Sequence, residues 1–377
     1  MSAAVLIAAA CASPGMPPGG PPDIAAPELI GTAPDSGTTQ VRPKEVVFRF
    51  NEVVAERSAS ATDLADLFLI SPRDGTPRVS WNRDEIAVRP RSGWRPNTAY
   101  TVTMLRGISD IRGNVRNAGA STFFSTGPTV PRTRITGRVF DWVTGSPAPN
   151  AVVESFIAPD STHAYVAITD TTGAFTLQHL PPGRYLVRGF VDRNRNRGID
   201  EGEQWDSASV SLTDSSAVEL LVFTRDSVAP RIREVASVDS LSLRVAFDKP
   251  VDPTQQLSVA NFTIVGRDSV PLTIVSVSPP TRDTTPAAGV APPARDTITV
   301  VPPAMSRPMP ITQIVIRLAR PLVPGGTYRV RALGLRGLLG ITGDSERVYA
   351  VPAAAPPAQP DTVSRQAAPP PPQLPRR

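Results

Sequence analysis

From residue 29 to residue 350 the chain keeps returning to one pattern. About five residues alternate between apolar and polar, and then Pro, Gly or Asn interrupts them. Val46-Val47-Phe48-Arg49-Phe50 puts Phe48 and Phe50 on one face, and Ile86-Ala87-Val88 and Tyr100–Met104 alternate in the same way. A two-residue period is that of a half-buried strand. Short strands at roughly ten-residue spacing, broken by turn residues, predict an all-β chain of tandem β-sandwich modules. Asp63–Phe68 is the one stretch that reads as a short helical turn. The 43 prolines of the 377 residues are clustered, which points to ordered modules joined by linkers.

The motifs of the first stretch have a family likeness. Ala33-Pro34-Asp35-Ser36-Gly37, Phe50-Asn51-Glu52-Val53-Val54, Arg95–Val102, Ile108–Asn114 and Phe124-Ser125-Thr126 follow one another in order. Together they resemble the SbsA-type Ig-like domain of bacterial S-layer proteins, which implies an Ig-like sandwich over residues 28–127. After a linker at 128–133 come Ile135–Asp141, Thr144-Gly145-Ser146-Pro147, Thr169–Phe175 and Leu180–Val187. This second stretch, 132–225, resembles the carboxypeptidase regulatory-like domain, which implies a transthyretin-like sandwich of seven strands and no peptidase activity. Asp170 and Gly173 are expected to bracket a hairpin turn.

A third stretch, 228–350, repeats signals of the first. Val245-Ala246-Phe247-Asp248-Lys249-Pro250-Val251 echoes the Phe50 segment, and Leu322–Val330 echoes the Tyr100 segment. Phe50 and Tyr100 lie 50 residues apart, whereas Phe247 and Tyr328 lie 81 apart. The excess falls in a Pro-rich insertion, 279–310, with one strand expected at Thr297–Val301. Gly337-Leu338-Leu339-Gly340 stands where the first copy has its Asp110–Asn114 turn. Residues 351–377 form a Pro-rich tail expected to be disordered, with too little apolar surface to fold.

At the N-terminus, Val5–Ala10 is a short apolar run ending in small residues before Cys11, the only cysteine. Residues 1–11 resemble a bacterial lipoprotein signal, which implies lipidation of Cys11 and a membrane anchor. The Leu usual three residues before that Cys is Ala8 here, and the first basic residue is Arg42. Residues 12–27 read as a Pro/Gly tether. The implied location is the bacterial cell envelope, with the modules facing the periplasm or the cell surface.

The formal charge is +5, but the basic residues are scattered arginines and no nucleic-acid motif is present, so a nucleic-acid partner is not expected. His163 and His179 are the only histidines, and no metalloprotease, serine-nucleophile or phosphate-loop motif occurs. An enzyme is therefore not expected.

One loop carries metal-ligand spacing. In Asp192–Glu203, oxygen side chains fall at positions 1 (Asp192), 3 (Asn194), 5 (Asn196), 9 (Asp200) and 12 (Glu203), and Gly198 at position 7 would offer its carbonyl. That is close to the calcium loop of EF-hands. Position 6, normally Gly, is Arg197. The competing reading is an Asn/Asp/Gly turn whose side chains cap the backbone. The whole reads as a non-enzymatic envelope lipoprotein, a modular scaffold or adhesion protein stiffened by Ca²⁺. The alternative is a glycan-binding surface module using Trp142 and Trp205 as stacking platforms, and the third is a hydrolase built on carboxylate pairs.

Overall fold

The computed structural model describes residues 22–58, 60–280 and 305–353. Cys11 and the signal expected at 1–11, most of the tether, the strand expected at Thr297–Val301 and the tail from 354 lie outside the described residues. The rest is nearly all β, as the alternation predicts.

The first module contains β1 (Leu29–Ala33), β2 (Val46–Phe50), β3 (Phe68–Ser71), β4 (Arg78–Asn82), β5 (Glu85–Arg89), β6 (Ala99–Met104) and β7 (Ala120–Ser125). They form a four-stranded sheet, β1-β2-β5-β4, and a three-stranded sheet, β3-β6-β7. Phe48, Phe50, Ile86 and Val88 from the first sheet meet Phe68, Tyr100, Val102 and Met104 from the second in one core. A single 3-10 turn, Leu64–Leu67, precedes β3. Asp63 caps it by accepting the Ala65 N–H, which satisfies an otherwise orphaned donor.

The middle module contains β8 (Arg134–Asp141), β9 (Val152–Ile157), β10 (Ala164–Ile168), β11 (Ala174–Gln178), β12 (Gly183–Phe190), β13 (Gln204–Leu212) and β14 (Ser215–Thr224). Their order is β10-β9-β12-β13-β14-β8-β11, with β14 and β8 parallel. Only Gln204–Thr224 and Trp205–Phe223 link β13 to β14. About that narrow seam the strands close over Ile135, Val139, Val153, Phe175, Tyr185 and Val187.

The turn at Asp170–Gly173 forms as expected but joins no hairpin. Asp170 Oδ1 accepts the N–H groups of Thr172 and Ala174, and Gly173 adopts φ 74°. A Cβ at Gly173 would lie 2.4 Å from the Val139 carbonyl, so only glycine fits. Yet β10 pairs with β9 and β11 with β8. Local turn chemistry specifies a reversal of the chain. Partners are chosen by the core, where Tyr165 of β10 and Phe175 of β11 both point inward.

The chain divides into two compact units between Arg225 and Asp226. The second contains β15 (Ile232–Ser237), β16 (Ser242–Val251), β17 (Phe262–Val265), β18 (Ile274–Ser278), β19 (Ile311–Leu318), β20 (Thr327–Arg336) and β21 (Thr342–Ala350). Its sheets, β15-β16-β19-β18 and β17-β20-β21, repeat the first module strand for strand. The agreement extends to detail. Each first strand slips register after its first pair, Leu29–Phe50 in one case and Ile232–Phe247 in the other. Tyr100 accepts a hydrogen bond from the Arg95 N–H at 2.8 Å, and Tyr328 accepts one from the Val323 N–H at 2.9 Å, five residues back in both. β18 ends at Ser278 and β19 begins at Ile311, whereas β4 and β5 are joined by two residues.

Candidate metal centre

The calcium-like loop spans the gap between β12 and β13, closed at its base by the Val191 N–H donating to the Gln204 carbonyl at 2.9 Å. Asp192 Oδ2 accepts the Arg197 N–H at 2.8 Å. That bond needs a left-handed backbone at position 6, and Arg197 supplies it with φ 57° although it is not glycine. A non-glycine residue pays about 1–2 kcal/mol for this conformation. Gly198, one residue late by the calcium-loop pattern, has no positive φ.

Asn194 and Asn196 both donate their amide N–H groups to Asp200 Oδ2, at 2.6 and 2.7 Å. Their amide oxygens accept the N–H groups of Asn196 and Gly198, and each keeps a second lone pair. Glu203 is buried and accepts the N–H groups of Arg193 and Asp200 with its two oxygens, at 2.9 and 3.1 Å. Asp192 Oδ1 is buried with no hydrogen-bond partner. The structure thus gathers Asn194, Asn196 and Asp200 at one point, while the carboxylates of Asp192 and Glu203 turn to backbone donors. The buried, unpartnered Asp192 Oδ1 and the second lone pairs of the two amide oxygens are of the hard oxygen type that Ca²⁺ takes. Asp192, Asp200 and Glu203 do not bring three carboxylate oxygens within 4.8 Å of one another, so an ion would have to draw the loop closer.

The same loop is wedged against the first module. Arg197 Nη1 donates to the Phe68 carbonyl at 2.8 Å and Nη2 to the Asp66 carbonyl at 2.5 Å. Burial pulls the Arg197 guanidinium below its ordinary pKa, and neighbouring Arg73 adds to that, while Asp66 and Asp192 oppose it. Arg73 Nη2 in turn donates to the Arg197 carbonyl at 2.7 Å and pairs with Glu154, whose other oxygen takes Arg188 at 3.1 Å. Only 3% of Glu154 is exposed, so a carboxylate is buried between two guanidinium groups.

Alongside this network the sheets themselves are spliced. Arg73 and Ala164 exchange both backbone hydrogen bonds, at 2.7 and 3.3 Å, and Ser71 Oγ accepts the Val166 N–H at 3.0 Å. Edge β3 therefore continues onto edge β10. Leu69 of β3 packs there with Val152, Ala164, Val166 and Phe190 in a cluster of its own. Sequence reasoning missed this junction because Asp66, Arg73, Glu154 and Arg197 are up to 131 residues apart. Its one visible signal was the arginine at position 6, which looked like a defect of the loop.

A second acidic group was also invisible in sequence. Asp23, Glu52 and Asp110 offer carboxylate oxygens within 4.8 Å of one another, the one such group of three among the described residues. Burial, then Asp23 and Asp110, raise the Glu52 pKa. Burial would raise Asp110 too, but hydrogen bonds from Asn114, Arg112 and Gly113 override it and hold its carboxyl low.

The aromatic platforms are not open. The Arg225 guanidinium lies 3.7 Å from the Trp205 ring centroid, and Trp142 is half-buried with its ring edge-on to Phe223. His163 and His179 share a cleft of about 550 Å³ beside Arg95 and Asp160. His179 stacks on Phe123 and bonds the Pro131 carbonyl through Nδ1 at 2.9 Å, while His163 Nδ1 contacts Asp160 at 3.3 Å. The Thr162 hydroxyl and N–H, helped by Arg95, hold Asp160 well below the usual carboxylate range.

Comparison with known proteins agrees with the sheets. Residues 23–126 match the family model of the bacterial Ig-like domain, and residues 134–192 match that of the carboxypeptidase regulatory-like domain. No curated protein matches the chain in sequence. Among solved structures it is similar to the N-terminal part of the bacterial S-layer protein SbsC, at 25% identity over 32% of this chain and 24% of that one, with a TM-score of 0.21. It is similar to domains 1–6 of SbsC at 10% identity over 88% and 55% of the two chains, with a TM-score of 0.21. The pilus 2b backbone protein of group B streptococcus follows at 14% identity over 52% and 98%, with a TM-score of 0.18. Scores near 0.2 carry no functional argument, and the chain spans about a quarter of the first of these proteins. By sequence, the first compact unit carries a bacterial Ig-like domain over residues 23–126 followed by a carboxypeptidase regulatory-like domain over residues 134–192.

Proposed function

We propose that this chain is a non-catalytic scaffold of the bacterial cell envelope, held to a membrane through lipidated Cys11, in which Asp192–Glu203 takes Ca²⁺ as a structural ion. The observation that carries this reading is the splice of β3 onto β10, backed by the buried Glu154 carboxylate held between the half-buried Arg73 and Arg188. Two sandwiches joined through backbone pairing and a buried ionic network act as one rigid body. Rigidity across a module boundary is what a spacer or adhesion stalk requires.

Asp192, Asn194, Asn196, Asp200, Glu203 and the Gly198 carbonyl would hold the ion, which would neutralise the loop carboxylates and stiffen the loop. Extracellular calcium modules bind at roughly 10⁻⁴–10⁻³ M. At about 1 mM Ca²⁺ and a Kd of about 0.1 mM, the gain is ~1.4 kcal/mol. Calorimetric titration of the full chain tests this. Heat of binding and a raised melting temperature are expected, both lost in Asp192→Ala and Glu203→Ala. Silence at several millimolar Ca²⁺ would remove the ion from the proposal. Mass spectrometry of the membrane fraction checks the anchor, since an acylated N-terminal Cys11 is the expected species.

A further inference from the structure

We propose that Ca²⁺ binding in the Asp192–Glu203 loop and docking of the first module onto the second form one linked equilibrium, with Arg197 as the coupling residue. The inference rests on the calcium reading above and adds what the ion would control.

Arg197 faces two ways. Its backbone N–H is held by Asp192 Oδ2, and its φ of 57° places it in the conformation that position 6 of a calcium loop requires. Its guanidinium is spent on the Asp66 and Phe68 carbonyls of the first module, and its own carbonyl accepts from Arg73 of that module. Three hydrogen bonds, two from the guanidinium and one to the carbonyl, thus tie position 6 of the loop to the first module. An arginine with positive φ is strained, and the docking bonds offset that strain. Docking therefore holds position 6 in the backbone conformation the ion would require, and an ion in the loop holds Arg197 in its docked conformation. By linkage each raises the affinity of the other by the same factor. The charge of a dication near a guanidinium opposes this, and salt screens a partly buried guanidinium only weakly, so the linkage is the backbone pre-organisation less that repulsion.

The repeat in the second unit supports the assignment. Phe68-Leu69-Ile70-Ser71-Pro72-Arg73-Asp74 corresponds to Phe262-Thr263-Ile264-Val265-Gly266-Arg267-Asp268, both opening on the strand after the short 3-10 turn. Leu69 is buried at the junction, whereas its counterpart Thr263 is half-exposed and the Arg73 counterpart, Arg267, is exposed. The apolar and ionic docking residues are present where a module docks and are altered or left exposed where the fold alone is kept.

The test uses substitutions outside the loop, so that no calcium ligand is touched. Leu69→Thr installs the residue that the repeat tolerates, and Arg73→Ala removes the contact to the Arg197 carbonyl. Calorimetric titration of the full chain with Ca²⁺ is expected to show a five- to tenfold weaker affinity in the double variant. Protease cleavage within 128–133 is expected to be slowed by Ca²⁺ in the unsubstituted protein and indifferent to it in the double variant. Each single variant, checked by circular dichroism, separates undocking from unfolding. Equal or tighter affinity in the undocked protein overturns the linkage and leaves the calcium reading standing. No binding by the unsubstituted protein overturns both.

Discussion

The first Ig-like module and the second unit share every strand, one register slip and one tyrosine bond, yet differ at two places where the fold leaves a choice. The first is the edge strand. β3 carries Leu69, is followed by Arg73 and is covered by another sandwich, whereas β17 carries Thr263, is followed by Arg267 and pairs through Val265 with Pro271 of its own module. The second is the acidic end. Asp23, Glu52 and Asp110 meet in the first module. In the repeat the same positions hold Asp226, Lys249 and Gly337, and Lys249 pairs with Asp226 at 2.5 Å. Val54 bridges Asp110 just as Val251 bridges Gly337, which fixes the correspondence. A sandwich framework is thus indifferent to what its ends and edges carry. Junctions and charge clusters are decided by a few substitutions on an unchanged topology.

Removing Glu154 should break the comparison most strongly, because it strips the buried carboxylate from between two guanidinium groups, an arrangement that the repeat, with Arg267 exposed, does not share. Glu154→Ala is expected to destabilise the first unit by about 3 kcal/mol. Differential scanning calorimetry should show the first unit's transition move while that of residues 226–353 stays in place. If both move together, the two units do not unfold independently.

The tyrosine bonds sharpen the comparison from the other side. Tyr100→Phe and Tyr328→Phe each remove one hydrogen bond to an N–H five residues back, and each should cost about 1 kcal/mol. Matching losses in chemical denaturation are expected, and a large inequality would show that the two corners are not equivalent.

The smallest effect is expected at the acidic end. Glu52→Lys copies the pairing of Lys249 with Asp226 into the first module and should stabilise it by about 0.5–1 kcal/mol at neutral pH. The Glu52 carboxyl is raised in the folded state, so its folded form binds a proton more readily than its unfolded form. Its penalty is absent at low pH and grows as pH rises above about 4.5, the group's ordinary value. The advantage of Glu52→Lys over the original should therefore shrink in melts run towards pH 4. An advantage independent of pH would mean that the three carboxylates do not repel.

Much of the fold was legible because sandwich strands announce themselves locally. Phe48 and Phe50, Tyr185 and Val187 recur at every second position, and each is buried as its period implies while Arg49 and Leu186 between them are exposed. The third stretch could be read from Phe247 and Tyr328 because a core aromatic and a tyrosine tied to its own corner are set by nearby sequence. The loop's oxygen-bearing side chains and their spacing were legible, since both are properties of twelve consecutive residues. Strand partnership was not. Asp170 and Gly173 specify a turn, but the two strands beside it pair elsewhere because the shared core is covered better that way.

The sequence alone therefore determined the secondary-structure class, the order of the two matched domains and the spacing of the loop's oxygen-bearing side chains, because each depends on residues close along the chain. Only the tertiary structure decided that Arg197 bonds the Asp66 and Phe68 carbonyls of the first module, and that Asp23, Glu52 and Asp110 converge. Both depend on which distant backbones the cores bring within hydrogen-bonding or Coulombic reach, and no local pattern encodes that distance.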